Sequence, residues 1–196
     1  MLTFSKMHVI GNDYIYINCF QETVTDPEKL SIFLSDVRFG IGSDGLVLIL
    51  PSEVADFRMR IFNADGSEAM MCGNATRCIG KYVYDMGMTD KTEISLETNS
   101  GIKYLTLYPG ADNKIDDHTL QMRVWERGSG ETFACGTGTC ATVVAAVLNG
   151  YCKMEEEILV HLRGGDLRII YHEDETVTMI GPATYVFEGK MEYPKL

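Results

Sequence analysis

The sequence predicts an α+β fold in two pseudo-symmetric halves, each a mixed β-sheet or barrel wrapped around a central helix, with the active site in the cleft between them. Two observations favour this class. Segments typical of strands outnumber those typical of helices, and residues 59–76 (MRIFNADGSEAMMCGNAT) align without a gap to residues 122–139 (MRVWERGSGETFACGTGT). Because both copies end in Cys-Gly before a helical pattern, we interpret them as a duplicated strand, turn and helix unit.

Two helices are predicted in the first half. The first covers residues 27–35, with Asp26 as its N-cap and Pro27 at its first position. The second follows Cys72 and Gly73, and Gly87 supplies its stop. One face of this second helix carries the apolar or small residues Ala75, Cys78, Ile79, Tyr82, Val83 and Met86.

A third helix is predicted over residues 139–148, which are apolar nearly all round and end at Asn149 and Gly150. This composition is typical of a helix buried on every side, which requires a sheet around it. Strands are predicted over residues 14–19, 46–50, 57–62, 93–98, 103–108, 120–125, 158–162, 166–171, 176–180 and 183–188.

The composition excludes several classes of function. The chain has 196 residues, a net charge of −11 and 45% hydrophobic content, which is enough for a core of its own. An acidic chain lacks the concentrated basic surface that nucleic acid or an anionic membrane requires. Polar residues interrupt the first twenty positions, so we expect no secretion, no membrane partner, and reduced cysteines in the cytoplasm.

Each Cys-Gly pair places a thiol and open backbone N–H groups at the positive end of a helix. Such a position favours the thiolate and can bind a carboxylate. Two such sites facing each other would place thiols on opposite sides of a bound carboxylate. Moving a proton from one face of an α-carbon to the other requires such an acid and base, together with stabilisation of the enediolate-like charge. Neither a metal nor a pyridoxal cofactor is needed for this chemistry.

Five segments spread along the chain resemble the diaminopimelate epimerase family of cofactor-independent amino-acid racemases. They are KMHVIGNDY (6–14), RFGIGSDGLVL (38–48), RIFNADGSEAMMCGNATRC (60–78), ERGSGETFACGTGTCA (126–141) and GPATYVFEG (181–189). The resemblance implies epimerisation of LL-2,6-diaminopimelate to meso-diaminopimelate by a two-cysteine acid/base mechanism, in the formation of lysine and peptidoglycan precursors. It implies a small amino-acid substrate as the partner, and no cofactor or metal.

The resemblance also implies a set of site residues. Cys72 and Cys135 are the expected acid/base pair. The residues expected to bind the α-carboxylate are Gly73, Asn74, Gly136 and Thr137, and those expected to bind the amino groups and the distal carboxylate are Asn12, Asn63, Glu126 and Arg127. Their chemistry agrees, because a glutamate accepts hydrogen bonds from an ammonium and an arginine binds a carboxylate with two parallel bonds.

The chain departs from the family in one respect. The family implies a substantial segment where residues 109–117 (PGADNKIDD) form a short polar link. We therefore predict a first domain of residues 1–108 plus 182–196 and a shortened second domain of residues 117–181. Exposed sheet edges and weak stability should follow from a true deletion, and a homodimer is one way to cover the gap.

Three alternatives stay open. A proline or hydroxyproline-type racemase uses the same two-cysteine chemistry, although Glu126 and Arg127 favour a substrate with a charged distal end. An inactive shortened homologue, or a thiol-redox protein with a Cys72–Cys135 disulfide, would isomerise nothing. A zinc site is disfavoured, because Cys72 and Cys78, like Cys135 and Cys140, do not share a helical face.

Overall fold

A computed structural model describes residues 1–107, 119–126 and 130–192 of the chain. The described residues divide into two units, each with a hydrophobic core of its own. The first unit takes in residues 1–8, 13–107 and 183–192, and the second takes in residues 9–12 and the described residues between 119 and 182. No helix in the described ranges is long and apolar enough to cross a membrane.

A mixed β-sheet forms the frame of the first unit. Its strands are β1 (Leu2–Val9), β2 (Asn12–Asn18), β3 (Gly45–Leu50), β4 (Phe57–Asn63), β5 (Glu68–Ala69), β6 (Glu93–Thr98), β7 (Gly101–Thr106) and β14 (Thr184–Met191). The order is β14-β1-β2-β3-β4-β6-β7, with β5 paired to β4. Strands β2 and β3 are parallel, as are β4 and β6. Within the described residues the sheet is open, with β14 and β7 at its ends, and no barrel closes.

Two helices pack in the first unit. Helix α1 (Pro27–Ser35) begins as predicted, because an Asp26 carboxylate oxygen accepts a hydrogen bond from the Lys29 backbone N–H at 3.2 Å. Helix α2 (Gly73–Asp85) buries the predicted face except at Met86, which is 40% exposed. Met86 is exposed because the helix has already ended at Asp85 and the chain then turns through Gly87, whose φ is +64°.

The second unit has a smaller set of strands. They are β8 (Thr119–Gln121), β9 (Val124–Glu126), β10 (Gly130–Thr132), β11 (Glu157–Leu162), β12 (Gly165–Tyr171) and β13 (Val177–Ile180). Four of them form a sheet in the order β13-β12-β11-β8, and β9 pairs with β10. The single strand predicted over 120–125 is therefore two short strands, because the chain changes pairing partner between β8 and β9.

The duplication predicted from the sequence is present in the structure. Strands β4 and β5 pair Ile61 with Ala69, and β9 and β10 pair Val124 with Thr132. The register is the same in both hairpins at an offset of 63 residues. Helix α3 (Gly136–Leu148) follows β10 at the same offset that α2 follows β5, and both helices have 13 residues.

The two helices differ in how far they are covered. On α2, the side chains of Asn74 and Cys78 are each only 1% exposed. At the equivalent positions of α3, Thr137 and Ala141 are exposed, and Leu148 at the end of this face is 68% exposed. The prediction that this helix is buried on every side is therefore wrong.

The difference has a physical cause in the strands that precede each repeat. The face of α2 meets side chains from β1 and β2, since the Tyr82 hydroxyl forms hydrogen bonds with Ser5 and Asn18. The described part of the second unit has no counterpart of β1, β2, α1 and β3. The α3 face that such strands would cover is consequently exposed, and β8 is left at the edge of its sheet.

Candidate active site

Cys72 is the residue that caps the N-terminus of α2. Its backbone is extended, with φ −138° and ψ 119°, and the helix begins at the next residue, Gly73. The carbonyl oxygen of Cys72 accepts two hydrogen bonds from Thr76, one from the backbone N–H at 3.0 Å and one from the hydroxyl at 2.6 Å. These bonds hold the thiol at the positive end of the helix dipole.

Cys135 has the same position on α3. Its φ is −138° and its ψ is 109°, and its carbonyl oxygen accepts hydrogen bonds from the backbone N–H (3.0 Å) and the hydroxyl (2.7 Å) of Thr139. The sulfur itself accepts a hydrogen bond from the Gly138 backbone N–H at 3.4 Å and lies 3.6 Å from the Thr137 hydroxyl oxygen. An N–H directed at the sulfur stabilises the thiolate relative to the thiol.

The surroundings of Cys72 act on its thiol in opposite directions. Burial raises the pKa of Cys72, and this is the largest effect. The backbone N–H groups of Ala75 and Asn74 lower it. The Tyr14 hydroxyl and the positive charge of Arg77 lower it further. The N–H groups at the helix terminus favour the thiolate, in the direction expected, but the pKa nevertheless stays above its ordinary value. Burial outweighs the helix terminus, and Cys72 keeps its proton at neutral pH.

The predicted carboxylate-binding residues lie on the first turns of the two helices. Gly73 and Asn74 follow Cys72 and are both buried. Gly136 is buried after Cys135, whereas Thr137 is exposed. Each pair therefore presents backbone N–H groups beside a thiol, the arrangement that binds an anion at a helix N-terminus.

The residues predicted to bind the rest of the substrate are more scattered. Asn12 begins β2 and is 8% exposed. Asn63 ends β4 and is exposed, and its side-chain amide donates to the Ser67 hydroxyl at 3.0 Å. Glu126 ends β9 at the equivalent position of the repeat, but its side chain is outside what the structure describes, and Arg127 lies outside the described residues altogether.

Sequence reasoning missed two residues beside Cys72. Tyr14 of β2 forms a hydrogen bond with the Cys72 thiol, and Arg77 of α2 donates to the Asn74 side chain at 2.7 Å. Both lie inside the family segments, at 6–14 and 60–78, yet no local pattern assigns either a role. The helical spacing of three residues between Asn74 and Arg77 is the one signal that could have indicated their contact.

The remaining cysteines are part of the packing. All six cysteines are among the described residues, and none is in a disulfide. Burial raises the pKa of Cys78 to about 12 and that of Cys19 to about 11, so both thiols stay protonated at neutral pH. In the part of the chain that the structure describes, no group of three or more His, Cys, Asp or Glu side chains could hold a metal ion.

Comparison with known proteins assigns the chain to a family. The sequence model of the diaminopimelate epimerase family matches residues 4–116 and 109–186. The chain belongs to the diaminopimelate epimerase family. It is 43% identical to the diaminopimelate epimerase of Agathobacter rectalis, over 97% of this chain and 99% of that protein. It is 42% identical to the diaminopimelate epimerase of Acetivibrio thermocellus, over the whole of both chains.

Solved structures show the same fold. A phenazine biosynthesis protein of the PhzF family from Bacillus anthracis superposes with a TM-score of 0.73 at 14% identity, covering 98% of this chain and 99% of that one. A probable proline racemase from Agrobacterium radiobacter superposes with a TM-score of 0.70 at 12% identity, covering 98% and 93%. The α+β class predicted from the sequence is thus confirmed.

The chain is shorter than its diaminopimelate epimerase relatives. The alignment with the Agathobacter rectalis protein runs over 285 positions, whereas the chain has 196 residues. At least 89 positions (285 less 196) therefore have no residue of this chain opposite them. The two matches to the family overlap at residues 109–116, within the link that departs from the family pattern.

Proposed function

We propose that this chain epimerises LL-2,6-diaminopimelate to meso-diaminopimelate for lysine and peptidoglycan precursors, with Cys72 and Cys135 as the acid/base pair. The observation that carries the proposal is the repeated helix cap. Each unit contains a cysteine whose carbonyl oxygen is bound twice by a threonine, Thr76 in one unit and Thr139 in the other. Two thiols in matching settings suit a reaction that needs a proton-transfer group on each face of one carbon.

The proposed reaction conserves electrons and protons. One cysteine, as the thiolate, takes the proton from the α-carbon of the substrate. The electron pair of the broken C–H bond passes into the α-carboxylate as enediolate-like charge, and then forms the new C–H bond with the proton of the other thiol. No redox partner is consumed. The raised pKa of Cys72 supports it as the group that holds its proton before substrate binds.

The helix starts supply stabilisation of the developing charge. Backbone N–H groups at Gly73 and Asn74, and at Gly136 and Thr137, are donors at the positive ends of α2 and α3. Donors fixed before the reaction stabilise an oxyanion without any reorganisation at the moment of proton transfer. In the proposed complex these groups hold the α-carboxylate while the two thiols exchange protons with the adjacent carbon.

The proposed choice of substrate depends on the distal residues. Glu126 would accept hydrogen bonds from the distal ammonium, and Arg127 would bind the distal carboxylate with two parallel bonds. Asn12 and Asn63 can donate or accept at either group. A proline or hydroxyproline-type racemase is the second candidate, since its chemistry is the same, and an inactive shortened homologue is the third.

A relay between two thiols needs a reducing compartment, so the proposal includes the cytoplasm.

Hydrogen exchange at the α-carbon tests the proposal. The purified chain is incubated in heavy water with LL-2,6-diaminopimelate, and in parallel with proline and 4-hydroxyproline. Proton NMR reports loss of the α-proton signal, and chiral chromatography reports formation of the meso isomer. The matched controls are Cys72→Ser and Cys135→Ser. An intact mass of 21.9 kDa on the same sample shows that the protein has the length of this sequence.

The outcomes separate the three candidates. Exchange and inversion of diaminopimelate alone, lost in both serine variants, would support the proposed function. Exchange with proline and none with diaminopimelate would overturn it in favour of the second candidate. Absence of exchange with every substrate, in a folded protein of 21.9 kDa, would identify an inactive shortened homologue.

A further inference from the structure

The two capping cysteines have the same backbone setting but different neighbours. At the offset of 63 residues that relates the helices, Asn74 corresponds to Thr137 and Arg77 corresponds to Cys140. The positive charge close to Cys72 therefore has no counterpart at the equivalent position beside Cys135. The difference lies on the first turn and a half of each helix.

Arg77 is held in a defined geometry. Its Nη2 donates to the side-chain oxygen of Asn74 at 2.7 Å, and its Nε and Nη1 atoms are shielded from solvent. A guanidinium has donors only, so it can face only the oxygen end of an amide. The contact consequently directs the NH2 end of the buried Asn74 side chain away from Arg77. An NH2 group is the end that a carboxylate oxygen accepts hydrogen bonds from.

The same side chain supplies a permanent charge. Arginine stays protonated even when it is buried, unlike lysine. The charge of Arg77 acts on both nearby thiols, Cys72 and Cys78, in the direction opposite to burial. Because two of its three nitrogens are shielded from solvent, the effect of this charge on a neighbouring thiol is larger than that of a fully exposed charge.

We propose that Arg77 is a positioning residue for the Cys72 half of the site, which turns the Asn74 amide toward the substrate carboxylate and places a fixed positive charge beside the Cys72 thiol. The identity of that carboxylate rests on the proposed function. The effect on the thiol does not, and it can be measured on the ligand-free protein.

The experiment measures how fast each capping thiol is alkylated by iodoacetamide as a function of pH. Peptide mass spectrometry separates Cys72 from Cys135 and from the other cysteines. Arg77→Gln keeps a planar donor and removes the charge. Lys81→Gln is the matched control, because it removes one positive charge from a partly exposed position one turn further along α2, where Lys81 pairs with Asp85 at 2.7 Å.

Arg77→Gln should move the Cys72 pH profile to higher pH and slow alkylation at neutral pH by about threefold or more, since only the thiolate reacts. The Cys135 profile should stay unchanged, and Lys81→Gln should alter neither profile. A Cys72 profile that coincides with that of the unsubstituted chain would overturn the proposal, as would equal slowing of both cysteines. Should Arg77→Gln fail to fold, Arg77→Met decides, because it also removes the charge and the proposal requires the same shift of the Cys72 profile to higher pH, with the Cys135 profile unchanged.

Steady-state kinetics with diaminopimelate test the Asn74 contact. Arg77→Lys should raise KM more than it lowers kcat, because the ammonium no longer fixes the amide with a planar fork. An unchanged KM would remove the Asn74 part of the proposal. If the unsubstituted chain shows no epimerase activity, the proposed function fails while the alkylation profiles still decide the effect of Arg77 on Cys72.

Discussion

The Nε atom of Arg123 lies 2.7 Å from a carboxylate oxygen of Glu131, across the hairpin that β9 and β10 form. Exactly 63 residues earlier, Arg60 contacts Glu68 at 2.8 Å across the hairpin of β4 and β5. The duplication therefore extends from the strand pairing to a specific ion pair beside each capped helix. Exposed pairs of this kind contribute little to stability, so their repetition is informative mainly about the shared geometry of the two hairpins.

Replacement of either capping thiol should abolish most of the activity. Cys72→Ser and Cys135→Ser should each lower kcat for diaminopimelate by about 10²- to 10⁴-fold, because a hydroxyl is a far weaker base than a thiolate. Chiral chromatography measures the rate at which the meso isomer forms, and circular dichroism checks that each variant is folded. Cys152→Ser is the matched control on a thiol outside the proposed pair. Near-normal turnover in either capping variant would rule out the two-thiol mechanism.

Arg127 should matter for recognition rather than for folding. Arg127→Lys keeps the charge but loses the planar fork, and we expect KM for diaminopimelate to rise about tenfold, as for the loss of one charge-assisted hydrogen bond. Arg123→Lys is the control, because Arg123, which directly precedes β9, is a largely exposed member of a surface ion pair. Equal KM values for the two variants would reassign Arg127 to a structural role.

The unequal burial of α2 and α3 should appear as unequal tolerance of charge. Cys78 and Ala141 occupy equivalent positions of the repeat, but Cys78 is 1% exposed and Ala141 is exposed. Cys78→Glu should lower the free energy of unfolding by about 3 kcal/mol or more, because it buries a carboxylate. Ala141→Glu should change it by roughly 0.5 kcal/mol or less. Urea denaturation measures both.

The outcome at Ala141 also reports on assembly. If the α3 face that carries Ala141 is exposed to solvent, sedimentation velocity should give the same mass for the unsubstituted chain and for Ala141→Glu. A mass that falls from dimer to monomer in the variant would contradict that expectation and show that a second copy covers α3.

Asp56 should contribute to stability against acid. Hydrogen bonds from the Lys91 side chain and from Ser95 lower the pKa of Asp56 from its ordinary 3.8 to about 2. A lowered pKa in the folded state stabilises the fold above the unfolded value, and this contribution is lost as the pH falls from 3.8 toward about 2. Asp56→Asn should flatten the pH dependence of the unfolding free energy in that window, measured by urea denaturation. Lys91→Met should act in the same direction, and parallel curves for all three proteins would contradict the assignment.

Local signals account for the parts of the fold that sequence predicted well. Helix α1 begins and ends where predicted because Asp26 and Pro27 are short-range signals that need no partner strand. Strand β6 also has its predicted bounds. Strand β1 was missed, because its pattern is interrupted by Lys6 and His8 and its pairing partner β14 lies at the opposite end of the sequence. Such long-range pairing leaves no short-range trace.

In the candidate site, too, features with a local sequence signal were predictable and features that depend on tertiary packing were not. The caps at Cys72 and Cys135 were predictable because a Cys-Gly pair before a helix is a local pattern, and the repeat displays it twice. The contacts of Tyr14 and Arg77 with this site were not, because they depend on the packing of β2 against α2 and on one side-chain rotamer. The net direction of the Cys72 pKa was also beyond the sequence, since burial is a property of the whole unit.

Because β1 pairs with β14, the sheet of the first unit can be completed only at the end of synthesis on the ribosome. Strand β1 emerges first, but its partner β14 follows about 180 residues later, which takes about 10 to 40 seconds at ordinary elongation rates. The second unit is synthesised in the interval. One edge of the nascent first sheet therefore waits without its partner, and an unpaired edge recruits other strands. Newly made chains of this protein should depend on chaperones that shield strand edges until synthesis ends.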